Sequence, residues 1–403
     1  MRFIFSLLII VSAVNAFTQD LQTIRLSDKA EISVLTCSAG ENLYSSFGHT
    51  AIRVYDPIVG LDETYNYGTF SFRTEGFYIK FLRRTLDFKL DRTSYEYFEK
   101  TYRRENRSVK EQILNLNQQQ KQNIFTALEI NNLEENRYYR YDHFFDNCAT
   151  RVRDMVFITF DDLIEPDYSF IDSSKSFRDL ITPYLKNMPW SHLGINIGLG
   201  SPTDKCAKPY EQMFLPDVQY RILENSLIKG NKPLIKKSQT LFDTSFEQKD
   251  NYIPFYLQPL FVFGVILFFI SWLSLHQIRK QKINYWFDFA LFFITGLLGV
   301  LIFFLWFFTE HGVTEGNLNI VWAFPLHLFI SFMLFSHKKG KFLLSYIFIT
   351  GLSCSFLLIG IPFFYQSIDT RLIPIFLIII LRSFTILKVE ISKKSRVQVP
   401  FAP

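Results

Sequence analysis

The sequence predicts an exported α+β domain followed by an all-α membrane domain of about five transmembrane helices. Three observations carry this reading. The chain opens Met1-Arg2-Phe3 and runs apolar to about Val14, with Ala16 at a V-x-A site. A charged start, a short apolar run and a small residue describe a secretory signal peptide. Residues 17–251 then have the composition of an ordinary soluble domain, long enough to bury one large core. After Pro254 apolar stretches run at 254–276, 286–308, 319–336, 342–364 and 371–388. Most of them are long enough to cross a bilayer. The expected division is 1–16 signal peptide, 17–251 exported domain, 252–390 membrane domain and 391–403 cytoplasmic tail.

Loop charge orients the spans. His276-Gln277-Ile278-Arg279-Lys280-Gln281-Lys282 is basic, as is His337-Lys338-Lys339-Gly340-Lys341, and the tail carries Lys393, Lys394 and Arg396. The loop Thr309 to Glu315 has no Lys or Arg. The positive-inside rule puts the basic loops in the cytoplasm and the 17–251 domain outside, in agreement with the signal peptide. The net charge of +5 is modest and partly explained by those loops, so it gives no argument for nucleic acid. The expected arrangement is a multi-pass membrane protein with the large domain outside the cytoplasm.

In the exported domain, Glu31 to Cys37 alternates as a strand, and a strand beginning at His49 follows Gly48. After a turn at Asp56-Pro57, Thr64-Tyr65-Asn66-Tyr67-Gly68 reads as its hairpin partner. Gly76 to Arg84 mixes aromatics with cations at helical spacing. It reads as a solvated helix face, with docking on anionic lipid through Lys80, Arg83 and Arg84 as the second reading. Residues 93–103 and 117–131 read as helices. Trp190 to Pro202 is glycine-rich but lacks the lysine of a phosphate loop, so it reads as a loop packed near the site or the membrane.

Two short motifs carry chemistry: Gly48-His49-Thr50-Ala51-Ile52-Arg53-Val54, and Phe145-Asp146-Asn147-Cys148-Ala149-Thr150-Arg151. The second reads as a loop entering a helix, with Asp146 and Asn147 as N-cap residues. A thiol at a helix N-terminus is acidified by free backbone N–H groups, and Arg151 and Arg153 add positive potential. A histidine can take its proton, which is the chemistry of a cysteine nucleophile. A lone buried cysteine is more often an inert hydrophobe; the caps, the cations and the glycine before His49 move the balance. His143 is the rival base. No H-x-x-x-H or C-x-x-C spacing supports a metal, no cofactor motif occurs, and no G-x-S-x-G elbow is present. Four cysteines are too few for a disulfide framework, although Cys37 and Cys206 leave one bond open.

A histidine on a strand preceding a cysteine on a helix is similar to the permuted NlpC-type and lecithin–retinol acyltransferase-like papain fold. More specific runs are Leu35-Thr36-Cys37, Phe47 to Val54, Tyr65 to Phe70, Glu105-Asn106-Arg107-Ser108-Val109, Asn136 to Tyr141, Asp146-Asn147-Cys148, Gly200-Ser201-Pro202 and Met213 to Asp217. By these the chain resembles the Bacteroidota lipoprotein N-acyltransferase (Lnb) family over nearly all of its exported domain and its membrane part. That resemblance implies a bacterial inner membrane, with the exported domain in the periplasm. In that family pattern position 143 is more often aromatic than His, and position 206 is not reliably Cys, which counts against catalytic roles for both.

The resemblance implies that a fatty acyl chain moves from a phospholipid to the α-amine of a diacylglyceryl-cysteine lipoprotein through a thioester on Cys148, with His49 as base. Asn66 is the candidate for orienting His49, with Tyr65 or Tyr67 equally allowed by strand alternation. The Cys148 backbone N–H with a neighbour such as Asn147 is the expected oxyanion site. Tyr67, Arg151, His311, Asn317 and Asn319 are the candidate substrate-binding residues, the last three lining a head-group region beneath the exported domain. An ordinary interfacial belt is the plainer account of those three. The alternatives are a membrane-tethered cysteine peptidase or amidase acting on cell-wall peptide, and a phospholipid hydrolase.

Overall fold

A computed structural model describes residues 24–160, 163–244, 253–337 and 339–397; the expected signal peptide lies outside them. The exported domain is built on an antiparallel sheet in which β1 (Glu31–Cys37) is an inner strand. Around it stand β2 (His49–Asp56), β3 (Leu61–Thr69), β4 (Asp87–Ser94), β5 (Val109–Leu114), β6 (Tyr138–Arg140) and β10 (Ile235–Phe242), in the order β10-β5-β1-β2-β3-β4-β6. A second, small sheet joins β7 (Ile164–Glu165), β8 (Leu227–Ile228) and β9 (Lys232–Pro233). The helices of this domain are α1 (Phe77–Leu82), α2 (Tyr95–Arg104), α3 (Gln118–Asn132), α4 (Cys148–Phe160), α5 (Phe177–Ile181), α6 (Pro189–Gly198), α7 (Pro209–Gln212) and α8 (Pro216–Asn225).

β1 is covered on both faces, so every position from Ile32 to Cys37 is buried, the polar Ser33 and Thr36 included. On one face Val34, Ile52 and Tyr65 meet Ile124, Phe125 and Leu128 of α3, Val152, Val156 and Phe160 of α4, and Ile222 of α8. Val152, Val156 and Phe160 recur every four residues and are buried, each contributing roughly 1.5–3 kcal/mol. On the other face Leu35 and Ala51 meet Phe98 and Tyr102 of α2.

The expected hairpin forms between β2 and β3, with Ile52 opposite Tyr65. Pairing of these strands stops there, and β3 is irregular between Asn66 and Thr69, where Gly68 has φ +87°. The strands therefore part at the His49 end, and this split receives the N-terminus of α4.

Among the described residues the membrane part has four helices long and apolar enough to cross a bilayer: α9 (Pro259–Lys280), α10 (Trp286–Phe307), α12 (Lys341–Gly360) and α13 (Ile373–Val397). The third expected span is different. It is a short 3-10 turn (Leu318–Val321), a bend and the eight-residue α11 (Leu326–Met333). Backbone of this kind is tolerated at membrane depth only where protein surrounds it. Here it lies against α10 at Gly296 and Gly299, where any Cβ would collide with backbone atoms of Leu328 and Ala323. His327 and Trp322 are buried, with their ring nitrogens on Thr295 and Asn319.

Arg382 neither snorkels nor faces lipid. Its guanidinium is fully buried against both oxygens of Asp288 (2.7 and 2.8 Å), Ser274 and Gln277.

Candidate active site

The split between β2 and β3 is the starting point. Because β3 has turned away, the Thr50 backbone N–H is left for another acceptor, and the Cys148 sulfur takes it. The N–H groups of Ala149 and Cys148 in the first turn of α4 also favour negative charge on the same sulfur. The thiol is thus held one residue along the strand from His49. Gly48 has φ +80°, and a Cβ there would stand 2.9 Å from the Cys37 carbonyl oxygen, so the approach to His49 requires glycine.

His49 lies opposite Cys37 in the strand register and stacks on Tyr102 with ring centroids 6.3 Å apart. Its Nε2 is hydrogen-bonded to Asn66 Oδ1. An amide oxygen only accepts, so Nε2 carries the proton and Nδ1 is the basic nitrogen. Tyr65 and Tyr67 point to the other face of the sheet, where their hydroxyls donate to Glu129 and Asn131. Of the three candidates for orienting His49, Asn66 is the one in contact.

The electrostatics differ from the simple helix-terminus expectation. Burial pushes the Cys148 thiol up, and the three N–H groups and the Arg107 guanidinium only partly oppose this. Burial, with Arg107, holds His49 down at about 4 against the Asn66 bond. The resting pair is therefore a neutral thiol and a neutral imidazole. Arg151 and Arg153 supply little of the positive potential, because each is engaged. Arg151 is forked onto Asp146 and lies over the Tyr139 ring; Arg153 binds Asp154 and the Tyr210 carbonyl.

Arg107 is the cation at the site. It is 5 % exposed, donates Nε to the Ser38 carbonyl and Nη1 to Glu105, and lies over the Tyr102 ring. Among the described residues its Nη2 has no protein partner, and neither do the buried hydroxyls of Thr50 and Tyr139. Arg107, Tyr102 and Cys37 were not legible as site residues. The only signal was that Glu105-Asn106-Arg107 and Cys37 sit inside family-like runs, and nothing in the sequence brings them to His49. Cys37 is buried and reduced, far from a bond with the exposed Cys206, which is also free.

The other candidates fall in two groups. Asn147 is the N-cap of α4: its Oδ1 accepts from Thr150 N, and both amide hydrogens go to the carbonyls of His143 and Phe214. Its side chain has no donor left for an oxyanion. His143 sits among Phe47, Phe144 and Phe214, and burial pushes it to about 4. Asn317 and Asn319 are buried, and their amides bind the carbonyls of Asn196, Ile197 and Gly198. They join α6 to the membrane part. His311 is half-buried, its ring on the carbonyls of Phe81 and Leu82 at the end of α1.

Two family models match the chain. One, described as the Lnb N-terminal periplasmic domain, covers residues 18–197; the other, the Lnb transmembrane domain with five helices, covers residues 249–394. The chain belongs to the Lnb family. Comparison with curated proteins gives no match, and neither does comparison with solved structures. Lnb membership makes this a membrane protein with an N-terminal periplasmic domain and a helical transmembrane domain, and it suggests lipoprotein N-acylation by an acyltransferase. The five helices of the Lnb transmembrane description correspond to the four long helices plus the broken α11 segment. No group of three or more His, Cys, Asp or Glu that could hold a metal ion occurs among the described residues.

Proposed function

We propose that this protein is a lipoprotein N-acyltransferase of a bacterial inner membrane, acting through Cys148 and His49 in a permuted papain-like periplasmic domain. The observation that carries the reading is the Cys148 sulfur, cradled by three backbone N–H groups beside a histidine whose Nε2 is fixed by Asn66.

The chemistry follows in two halves. His49 Nδ1 takes the Cys148 proton as the sulfur attacks the ester carbonyl of a phospholipid. The S–C bond forms, the C–O ester bond breaks, and the lysophospholipid oxygen leaves with the proton from His49. The α-amine of a diacylglyceryl-cysteine lipoprotein then attacks the thioester. The N–C bond forms, the thioester S–C bond breaks, and His49 passes the amine proton to the departing sulfur, which restores the thiol. A neutral starting pair suits this sequence, because the thiolate arises only as the proton moves to an imidazole that is otherwise unprotonated. The oxyanion is stabilised by the backbone N–H groups of the Cys148 turn rather than by the Asn147 side chain. The spanning helices favour lipid-anchored substrates over wall peptide, since both donor and acceptor are held in the same leaflet.

The test is complementation in cells depleted of their own lipoprotein N-acyltransferase, with the N-terminal lipopeptide weighed by mass spectrometry. A third acyl chain that disappears in Cys148→Ala and His49→Ala supports the reading. Persistent diacyl lipopeptide with well-expressed protein sinks it, and a third chain retained in Cys148→Ala removes the thioester.

A further inference from the structure

We propose that α1 is a membrane-seating element, its outer face inserted in the same bilayer leaflet into which the periplasmic end of α10 emerges. A helix of a soluble domain normally turns its apolar side chains to the core. In α1 only Phe77 does so, packing on Phe70 and Phe88. Tyr78 is 81 % exposed, Ile79 61 % and Phe81 55 %, and Phe72 just before them is 66 % exposed. An aromatic and aliphatic patch of this kind marks an interaction surface.

The position of the patch identifies its occupant as lipid. The end of α1 is fastened to the end of a transmembrane helix: Glu310 N–H donates to the Arg83 carbonyl (3.1 Å) and Arg84 Nη1 donates to the Glu310 carbonyl (2.8 Å). The His311 ring adds its bond to the same turn. The exposed Phe307 and Phe308 at the end of α10 are therefore neighbours in space of the α1 patch and extend it into the spanning surface. Exposed Lys80 and Arg83 stand among the aromatics, as expected where an element lies at the level of lipid phosphates.

The seating reaches the reaction loop. Arg84 also binds the Tyr141 carbonyl and the Asp142 carboxylate (3.0 Å each), and Asp142 holds the backbone N–H groups of Phe144 and Phe145. That loop ends at Cys148. On the acyl-transfer reading, α1 sets the thiol at a fixed height above the leaflet from which the donor lipid is drawn.

The experiment uses the full chain in nanodiscs of phosphatidylethanolamine and phosphatidylglycerol. A spin label is placed at Ile79→Cys, or at Glu96→Cys as an aqueous control, in a Cys206→Ser background. The label at 79 should be relaxed at least about threefold more by lipid-dissolved oxygen than by an aqueous nickel chelate, and the label at 96 the reverse. Chelate access at 79 equal to that at 96 shows water over the patch, and weak relaxation at 79 by both reagents shows protein over it; either result overturns the proposal. This readout needs no acyl transfer, so it stands or falls separately from the assigned activity. For the coupled role, a Tyr78→Ser/Ile79→Ser/Phe81→Ser variant should lose at least tenfold of transfer from bilayer lipid and keep transfer from a micellar short-chain donor. Undiminished transfer from the bilayer overturns that role.

Discussion

Asn66 and Arg107 bear on the proposed Cys148–His49 pair, Asn66 through its bond to His49 and Arg107 through its charge. Asn66 holds the tautomer of His49, so Asn66→Ala should lower transfer by roughly 10²–10⁴-fold while the lipid donor still binds. Steady-state rates against donor concentration read this as a fall in kcat with little change in KM. Arg107 favours the thiolate of Cys148, and its removal leaves burial less opposed. Arg107→Met should therefore slow iodoacetamide alkylation of Cys148 and move its pH profile upward. The rate at neutral pH should fall about tenfold for every pH unit the profile moves. His49 and His143 are both held near 4 by burial, against an ordinary value of 6.5. Between those values the unfolded chain binds protons that the folded one refuses, so stability is fully present above 6.5 and falls as pH drops toward 4. Each histidine accounts for at most roughly 3 kcal/mol of that loss. His143→Phe, placed among aromatic rings, should keep transfer and unfold less readily than the parent at pH 5, as read by thermal melts at pH 5 and 8. The two motifs were enough to single out Cys148 and His49 as the proposed pair. The direction in which the thiol is pushed was not, because a helix N-terminus is visible in sequence and desolvation is not.

At the scale of elements, α4 depends on its cap. Asn147→Ala removes the cap and leaves the His143 and Phe214 carbonyls without a donor, so about 2–3 kcal/mol of stability should be lost in chemical denaturation. The broken third span depends on two glycines of α10. Gly299→Val should disrupt the crossing, because backbone at Ala323 occupies the space a side chain would need; lowered yield of folded protein in detergent is the check. The sequence marked 319–336 as a span by hydropathy alone. That the crossing is a turn, a bend and a short helix was hidden, since apolar content does not distinguish a helix facing lipid from irregular backbone sheltered by neighbours.

Over the whole molecule, one device joins the two domains and a second ties the membrane bundle together. The periplasmic loop at 196–204 is knit by Arg178, buried on Asp204 and on the carbonyls of Leu199 and Gly200, and it docks on the membrane part. Gly200 donates to the Val313 carbonyl, and Gln366 donates to that of Leu199. Within the bundle, Arg382 and Asp288 tie α13 to α10. Removing one partner alone, Arg382→Met, should cost about 3–5 kcal/mol, because a carboxylate is left buried without a counter-charge. Arg382→Met with Asp288→Leu should recover most of that loss, and thermal stability in detergent compares the three proteins.

The amino-acid sequence by itself determined the division into an exported domain and a membrane domain, the orientation of the spans, and the strand histidine with the helix-capped cysteine. These follow from local composition, from charge asymmetry and from motifs a few residues long. Only the tertiary structure decided that Asn66 is the residue on His49 and that Arg107 and Tyr102 surround the site. It also decided that Asn147, Asn317 and Asn319 are bound up in joints. The physical reason is that each of these depends on which strand parts from its neighbour and which polar atoms are left without a protein partner. Those are properties of contacts between segments distant in the chain.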